Sequence, residues 1–257
     1  MEYVIICLVA FLTSILTFFS GFGLGTILLP AFALFFPVEL AVALTGVVHF
    51  FNNIFKLFLV GKNANKSVLI KFGIPAIIAA IIGAYILINI TNINPLYTYV
   101  LGNGTHEITP VKLVIAILLI TFAIIELTPF FGSIKFESKH MPLGGFLSGF
   151  FGGLSGHQGA LRSAFLINSG LTKETFIGTT VVISCFVDFT RLSVYATRFF
   201  ESGLNENKLL IICATLSAIT GAVLGNQLLK KVTLKFIQKL IAALLILVSI
   251  ALGFGII

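Results

Sequence analysis

The side chains able to do chemistry in this sequence are few, and they stand in apolar surroundings. Ser155, His157, Gln158, Arg162 and Ser163 interrupt or follow a glycine cluster reading Gly153-Leu-Ser-Gly-His-Gln-Gly159. An arginine in an apolar segment is costly and by default faces a partner or a water-filled path. Its planar fork of donors matches oxyanions such as sulfonate or carboxylate; a permanent pair with Asp188 is the alternative. Asp188 and Arg191 lie three apart, hence on one helix face. They form either a neutralising pair or a switch in which Asp188 accepts a coupling proton or alternates between Arg191 and Arg162. His49, Asn52, Asn53 and Lys56 recur at helical spacing and predict a polar lining along one side of a helix. Lys56 lies close to the end of its segment, so its ammonium is expected to snorkel to the interface. His157 is a candidate for substrate contact or proton transfer.

One enzyme motif is set aside on chemical grounds. Gly153-Leu-Ser-Gly156 has the Gly-x-Ser-Gly form seen at the nucleophile of rhomboid intramembrane proteases. That chemistry needs a histidine base on a later helix, within hydrogen-bond reach of the serine. The histidines are His49, His106, His140 and His157, so none lies downstream of the motif's own neighbour. Cys7, Cys185 and Cys213 are far apart and have no metal-ligand spacing. No enzyme activity, metal or cofactor is implied.

Positioning these residues falls to a chain of 257 residues that is 58% apolar and 10% charged. Soluble domains carry about 25% charged residues, so this composition excludes a soluble enzyme, a coiled coil or a disordered tail. Eight apolar segments run approximately over Val4–Phe36, Glu39–Val60, Val68–Ile90, Val111–Phe131, Met141–Ile167, Glu174–Phe199, Lys208–Leu229 and Phe236–Ile257. Helix is the expected local structure throughout, because open sheet in lipid leaves backbone groups unpaired. Nothing marks the first run as a cleaved leader, so it is read as part of the mature protein. The net charge of +7 falls in lysine clusters between apolar runs, where it sets membrane orientation and does not signal nucleic-acid binding.

The two halves resemble each other. Phe19-Ser-Gly-Phe-Gly-Leu-Gly25 corresponds to the second glycine cluster, and a shift of 134 residues also places Leu44-Thr-Gly-Val-Val48 on Gly178-Thr-Thr-Val-Val182. An internal duplication follows, with a first membrane repeat over 1–134, a cytoplasmic hinge over 135–142 and a second repeat over 143–257. Lys62, Lys66 and Lys71, then Lys135, Lys139 and His140, then Lys230, Lys231 and Lys235 mark three cytoplasmic loops. Eight simple crossings put the last two clusters on opposite sides, so one segment between them must enter and leave on the same side. The glycine-interrupted fifth segment is the expected one. Its counterpart Val4–Phe36 would measure roughly 50 Å as one helix against a core of about 30 Å. The expectation is an all-α polytopic membrane protein of two inverted repeats, each opening with a glycine-broken, re-entrant helix. Steeply tilted full spans are the alternative.

At each break the following half-helix, beginning near Gly25 or Gly159, points its N–H groups and partial positive charge into the membrane. Gly21, Gly23, Gly25, Gly156, His157, Gln158, Gly159 and Arg162 are therefore the expected anion-binding residues. Asp188, Arg191, His49, Asn52 and Asn53 are expected to line the path or carry a coupling proton. The partners are a small anion and the lipid bilayer of the inner (cytoplasmic) membrane, with no nucleic acid; self-association as a homo-oligomer is compatible with this.

The broken segment Ser20-Gly-Phe-Gly-Leu-Gly-Thr-Ile-Leu-Leu-Pro30, with Ala41-Val-Ala-Leu-Thr-Gly46 and Ile177-Gly-Thr-Thr180, resembles the TauE/SafE sulfite exporter family from about Phe11 to Gly225. The resemblance implies transport of sulfite, sulfonates or other organosulfur anions across the cytoplasmic membrane. The second half departs from the family pattern: Gly156-His-Gln-Gly159 and Ala164 stand where further glycines and a proline are usual. A secondary transporter working by alternating access, with proton coupling through Asp188 or His157, is the leading reading. A passive anion channel and a membrane-embedded enzyme or assembly protein using the same pocket are the alternatives.

Overall fold

The structure is a computed structural model that describes residues 1–17, 23–102, 104–128, 136–166, 169–228 and 234–257. Gly21, Lys135, Lys230 and Lys231 lie outside the described residues. Ten helices are described, five before the central connection and five after it. The first five are α1 (Glu2–Thr17), α2 (Leu24–Ala33), α3 (Val38–Val60), α4 (Lys66–Ile90) and α5 (Pro110–Leu127). The second five are α6 (Met141–Ser155), α7 (Gly159–Leu166), α8 (Lys173–Phe199), α9 (Lys208–Leu228) and α10 (Leu234–Gly253). Each apolar segment with a glycine cluster is thus two helices, not one. Four helical stretches are long and apolar enough to cross a membrane by length and composition, at Val38–Asn63, Lys66–Ile90, Lys173–Phe199 and Lys208–Gly225.

Local chemistry sets the helix starts. Thr109 accepts from Lys112 N before Pro110, Thr172 from Thr175 N, and Asn65 from Val68 N, each satisfying an orphan donor of a first turn. Gly156 ends α6 in the left-handed region (φ 83°), and Gly23 precedes α2 at φ 111°. A side chain is strained at either angle, which is why the breaks fall on glycine.

Packing between the two sets is reciprocal. The first helix of each set packs on the fourth of the other, so α1 lies on α9 and α6 on α4; α3 lies on α8 and α5 on α10. A glycine ladder drives the α6–α4 contact: a Cβ at Gly145, Gly149 or Gly153 would collide with the carbonyl oxygen of Phe72, Ala76 or Ala80. Without a hydrophobic driving force between helices in lipid, such close backbone approach supplies the attraction. The same contacts show α4 and α6 running in one direction. Helix α3 runs against α8, with Gly178 beside Val60 and Ala64 and Gly203 beside Leu40. Helix α7 folds back along α6: Ser148 Oγ donates to the Gln158 carbonyl (2.8 Å), and Phe165 packs on Gly144 and stacks on Phe136. The core between the sets is lined by Leu28, Phe32, Leu44, Ile115 and Leu119. Outward-facing Phe58, Ile117, Phe189 and Leu247 remain exposed, an apolar surface suited to lipid and not to water.

Two expectations are corrected. The connection after α4 is not wholly irregular: β1 (Tyr97–Leu101) and β2 (Gly104–Ile108) form an antiparallel hairpin with Tyr97 opposite Ile108. The hairpin covers the chain's C-terminal residues, with Tyr99 OH donating to the Phe254 carbonyl (2.6 Å). Lys56 does not snorkel to an exposed position but is 8% exposed. Helix α8 runs along that face of α3 and covers it.

Candidate functional site

Asp188 sits on α8 where this helix crosses α3, and it is fully buried. Its Oδ1 accepts from Arg191 Nε (3.0 Å), Arg191 Nη2 (2.9 Å) and Gln158 Nε2 (3.0 Å). Its Oδ2 lies 2.6 Å from His49 Nδ1 and accepts from Asn53 Nδ2 (3.3 Å). Gln158 passes the network on, its Oε1 accepting from Arg162 Nη1 (3.0 Å). The intrahelical Asp188–Arg191 pair read from spacing is present, whereas Arg162 reaches Asp188 through Gln158.

The backbone around this network comes from both breaks. A Cβ at Gly25, in the first turn of α2, would stand 3.6 Å from His49 Cδ2 and 3.8 Å from the Gly156 carbonyl oxygen. Gly159 opens α7, and Arg162 lies one turn into it. The structure thus brings Gly25, Gly156, Gln158, Arg162, Asp188, Arg191, His49 and Asn53 together, and places Gly23 and Gly159 at the helix starts beside them.

Two expected members point elsewhere. His49, Asn53 and Lys56 share one face of α3 at i, i+4 and i+7, but Asn52 is turned towards α1 and accepts from Ser14 Oγ (3.5 Å). The four polar residues do not form a single lining, because adjacent positions on a helix diverge by about 100°. His157 stacks its ring on Phe122 of α5 (centroids 5.2 Å apart). Its Nδ1 lies 3.1 Å from the Ser155 carbonyl and 3.2 Å from Ser155 Oγ. A carbonyl can only accept, so Nδ1 carries the proton and cannot serve Ser155 as a base. Ser155 Oγ itself donates to the Phe151 carbonyl (3.0 Å).

The sequence reading missed two supports. Tyr195, four residues after Arg191 on α8, donates to the Gly153 carbonyl (2.5 Å) and has its ring centroid 6.0 Å from the Arg191 guanidinium carbon. The signal was there, since positions 188, 191 and 195 share a helix face. Thr45 Oγ1, beside Gly46, is buried and has no hydrogen-bond partner among the described residues; its partnerless state is invisible in sequence.

Among the described side chains, Lys56, Arg162 and Arg191 are buried cations, and Asp188 is the one buried carboxylate. Buried guanidiniums beside the first turns of two helices favour an anion. No described group of acidic, histidine or cysteine residues could hold a metal ion.

The family described as Sulfite exporter TauE/SafE matches residues 6–252 of the 257-residue chain. No curated protein and no solved structure matches it.

Proposed function

The chain belongs to the sulfite exporter TauE/SafE family, and from that premise we propose that it is a secondary transporter carrying a small anion across the cytoplasmic membrane. The substrate class is sulfite, a sulfonate or another organosulfur anion. The observation that carries the reading is the placing of two buried guanidiniums, Arg162 and Arg191, around the Gln158–Asp188 network where the two helix breaks meet. Half-helix N–H groups, Arg162 and the Gln158 end of the network would hold the anion there.

The two five-helix sets are read as inverted repeats working by alternating access. Reciprocal packing of first on fourth, third on third and fifth on fifth helices supports this. So does the folding back of α7 along α6, which starts and finishes the broken segment at one end of the molecule.

The test is flux of sulfite, thiosulfate and methanesulfonate in proteoliposomes. Alternating access predicts saturable transport and faster uptake of labelled anion when unlabelled anion waits on the far side. Flux that only dissipates its gradient, with no such exchange, would indicate a channel. Conversion of the anion into a new species would indicate an enzyme.

A further inference from the structure

We propose that Arg191 is a second anion-facing cation of this centre, beside Arg162, and that His49, paired with Asp188, takes up one proton for each anion bound. The inference rests on the transporter reading above.

Arg191 carries a buried donor with no partner among the described residues. The side chain is 1% exposed, and that donor is Nη1, although Nε and Nη2 are both on Asp188. Buried donors are nearly always satisfied. Nη1 packs against two glycines: a Cβ at Gly156 would be 3.0 Å from it and one at Gly46 3.3 Å. The Gly156 carbonyl borders Gly25 in the first turn of α2, so Nη1 lies at the junction of the two breaks. The partnerless Thr45 Oγ1 is the residue next to Gly46. A guanidinium edge beside the first turn of a helix makes an oxyanion site.

An anion at Nη1 shares one guanidinium with the Asp188 carboxylate. Two like charges so close disfavour each other unless a further positive charge arrives. Of the groups touching Asp188, Gln158 and Asn53 do not titrate and Arg191 stays charged, which leaves His49. The remaining charged or titratable neighbours are Lys56 further along α3, Arg162 behind Gln158 on α7, and on α8 Cys185 one turn before Asp188 and Tyr195 one turn beyond Arg191; α2 presents only the backbone of Gly25. His49 has 12% side-chain exposure where Asp188 has none, so the proton reaches the imidazole and not the carboxylate. With Nδ1–H on Asp188 Oδ2, Nε2 accepts the proton and the ring becomes imidazolium. One proton and one anion enter from one face and leave at the other, so only an N–H bond forms and breaks. By linkage, each then tightens the binding of the other. His157 is no substitute, because it is not among the groups bonded to Asp188: its Nδ1–H goes to Ser155 and its ring stacks on Phe122.

Proteoliposomes containing a pH dye test this with methanesulfonate and thiosulfate, whose charge is fixed near neutrality. The wild-type chain should move about one proton with each anion, and His49→Gln and Asp188→Asn should each lower that ratio about tenfold with anion exchange still measurable. Anion flux without protons in the wild type overturns the inference and leaves the transporter reading standing. Proton movement that persists in His49→Gln overturns it too. So does loss of exchange in both variants while they remain folded and monodisperse, since the pair would then belong to the anion path itself. Transport of sulfite alone would show a substrate that brings its own proton, and would remove the role of His49. If the wild type carries none of the three anions, the transporter reading fails and this inference with it.

Discussion

Gln158 both donates and accepts in the buried network. Its carbonyl oxygen accepts from Arg162 while its amide nitrogen donates to Asp188, and a primary amide is the short side chain that offers both. Gln158→Glu keeps the shape and the acceptor for Arg162 but sets a carboxylate against Asp188 Oδ1. Disrupting a buried charge network in this way costs about 3–5 kcal/mol, so the melting temperature in detergent should fall clearly. Adding Asp188→Asn supplies a donor to the introduced carboxylate and should recover much of the loss. A drop that the second change leaves untouched would mean that the two side chains do not interact. Arg162 is tested differently, by Arg162→Lys beside Arg162→Gln. If it contacts the substrate, both variants stay folded while anion binding weakens, more for Gln, since Lys keeps the charge and loses the fork. If it is a structural cation only, Arg162→Gln unfolds the protein and Asp188→Asn rescues it.

Helices α4 and α6 touch backbone to backbone, and the ladder Gly145, Gly149, Gly153 makes this possible. Gly149→Ala puts a methyl group into the Ala76 carbonyl, which cannot move without shifting α4. Overpacking of this kind costs about 1–3 kcal/mol or more. Gly73→Ala is the contrast: its Cβ would meet only Ile183 Cγ1 at 3.7 Å, in ordinary contact, and alanine is the better helix former by about 1 kcal/mol. Thermal unfolding should therefore separate the two alanines, the first destabilising and the second neutral or better. Equal effects would remove the ladder as the cause. At this scale the sequence was readable where local rules dominate. The glycine clusters announced helix breaks, and the 188–191 spacing announced an ion pair. It was unreadable where the partner is distant: His49 and Asp188 are 139 residues apart, and the burial of Lys56 depends on α8 lying over it. The hairpin has a local signal, Gly102-Asn-Gly104 after the alternating Tyr97-Thr-Tyr-Val, in a connection between apolar segments to which the sequence reading assigns no local structure.

Taken whole, the molecule has two chemically different ends. The packing directions put the α3–α4 turn with Lys62 and Lys66, the start of α6 with Lys139 and the start of α8 with Lys173 at one end. The α2–α3 turn, the hairpin and the C-terminal residues lie together at the other, around a cavity lined in part by Glu39, Glu107, Lys112 and Ile257. Helix α1 runs alongside α9 in the same direction, with Val4 and Cys7 near the Leu216–Thr220 turn and Phe11 at Gly221. Since α9 begins just after Gly203, which touches Leu40 at the start of α3, the N-terminus belongs to the hairpin end as well. Positive residues concentrate in cytoplasmic loops because they resist translocation, so the lysine-rich end should face the cytoplasm and both termini the outside. The measurement is labelling of intact cells by a membrane-impermeant maleimide, in a chain whose Cys7, Cys185 and Cys213 are replaced by alanine. Single cysteines at Asn63 and Ser138, and one in the α9–α10 connection, should react only after the membrane is opened, and a cysteine at Thr98 in the hairpin should react at once. Protection of Asn63 and Ser138 alone fits many topologies with an even number of crossings between them. The α9–α10 connection decides, because with α6 and α7 counted as a full crossing it would fall on the opposite side from Ser138. Its labelling from outside would therefore sink the re-entrant pair, and with it the inverted arrangement that lets two half-helices meet at one anion.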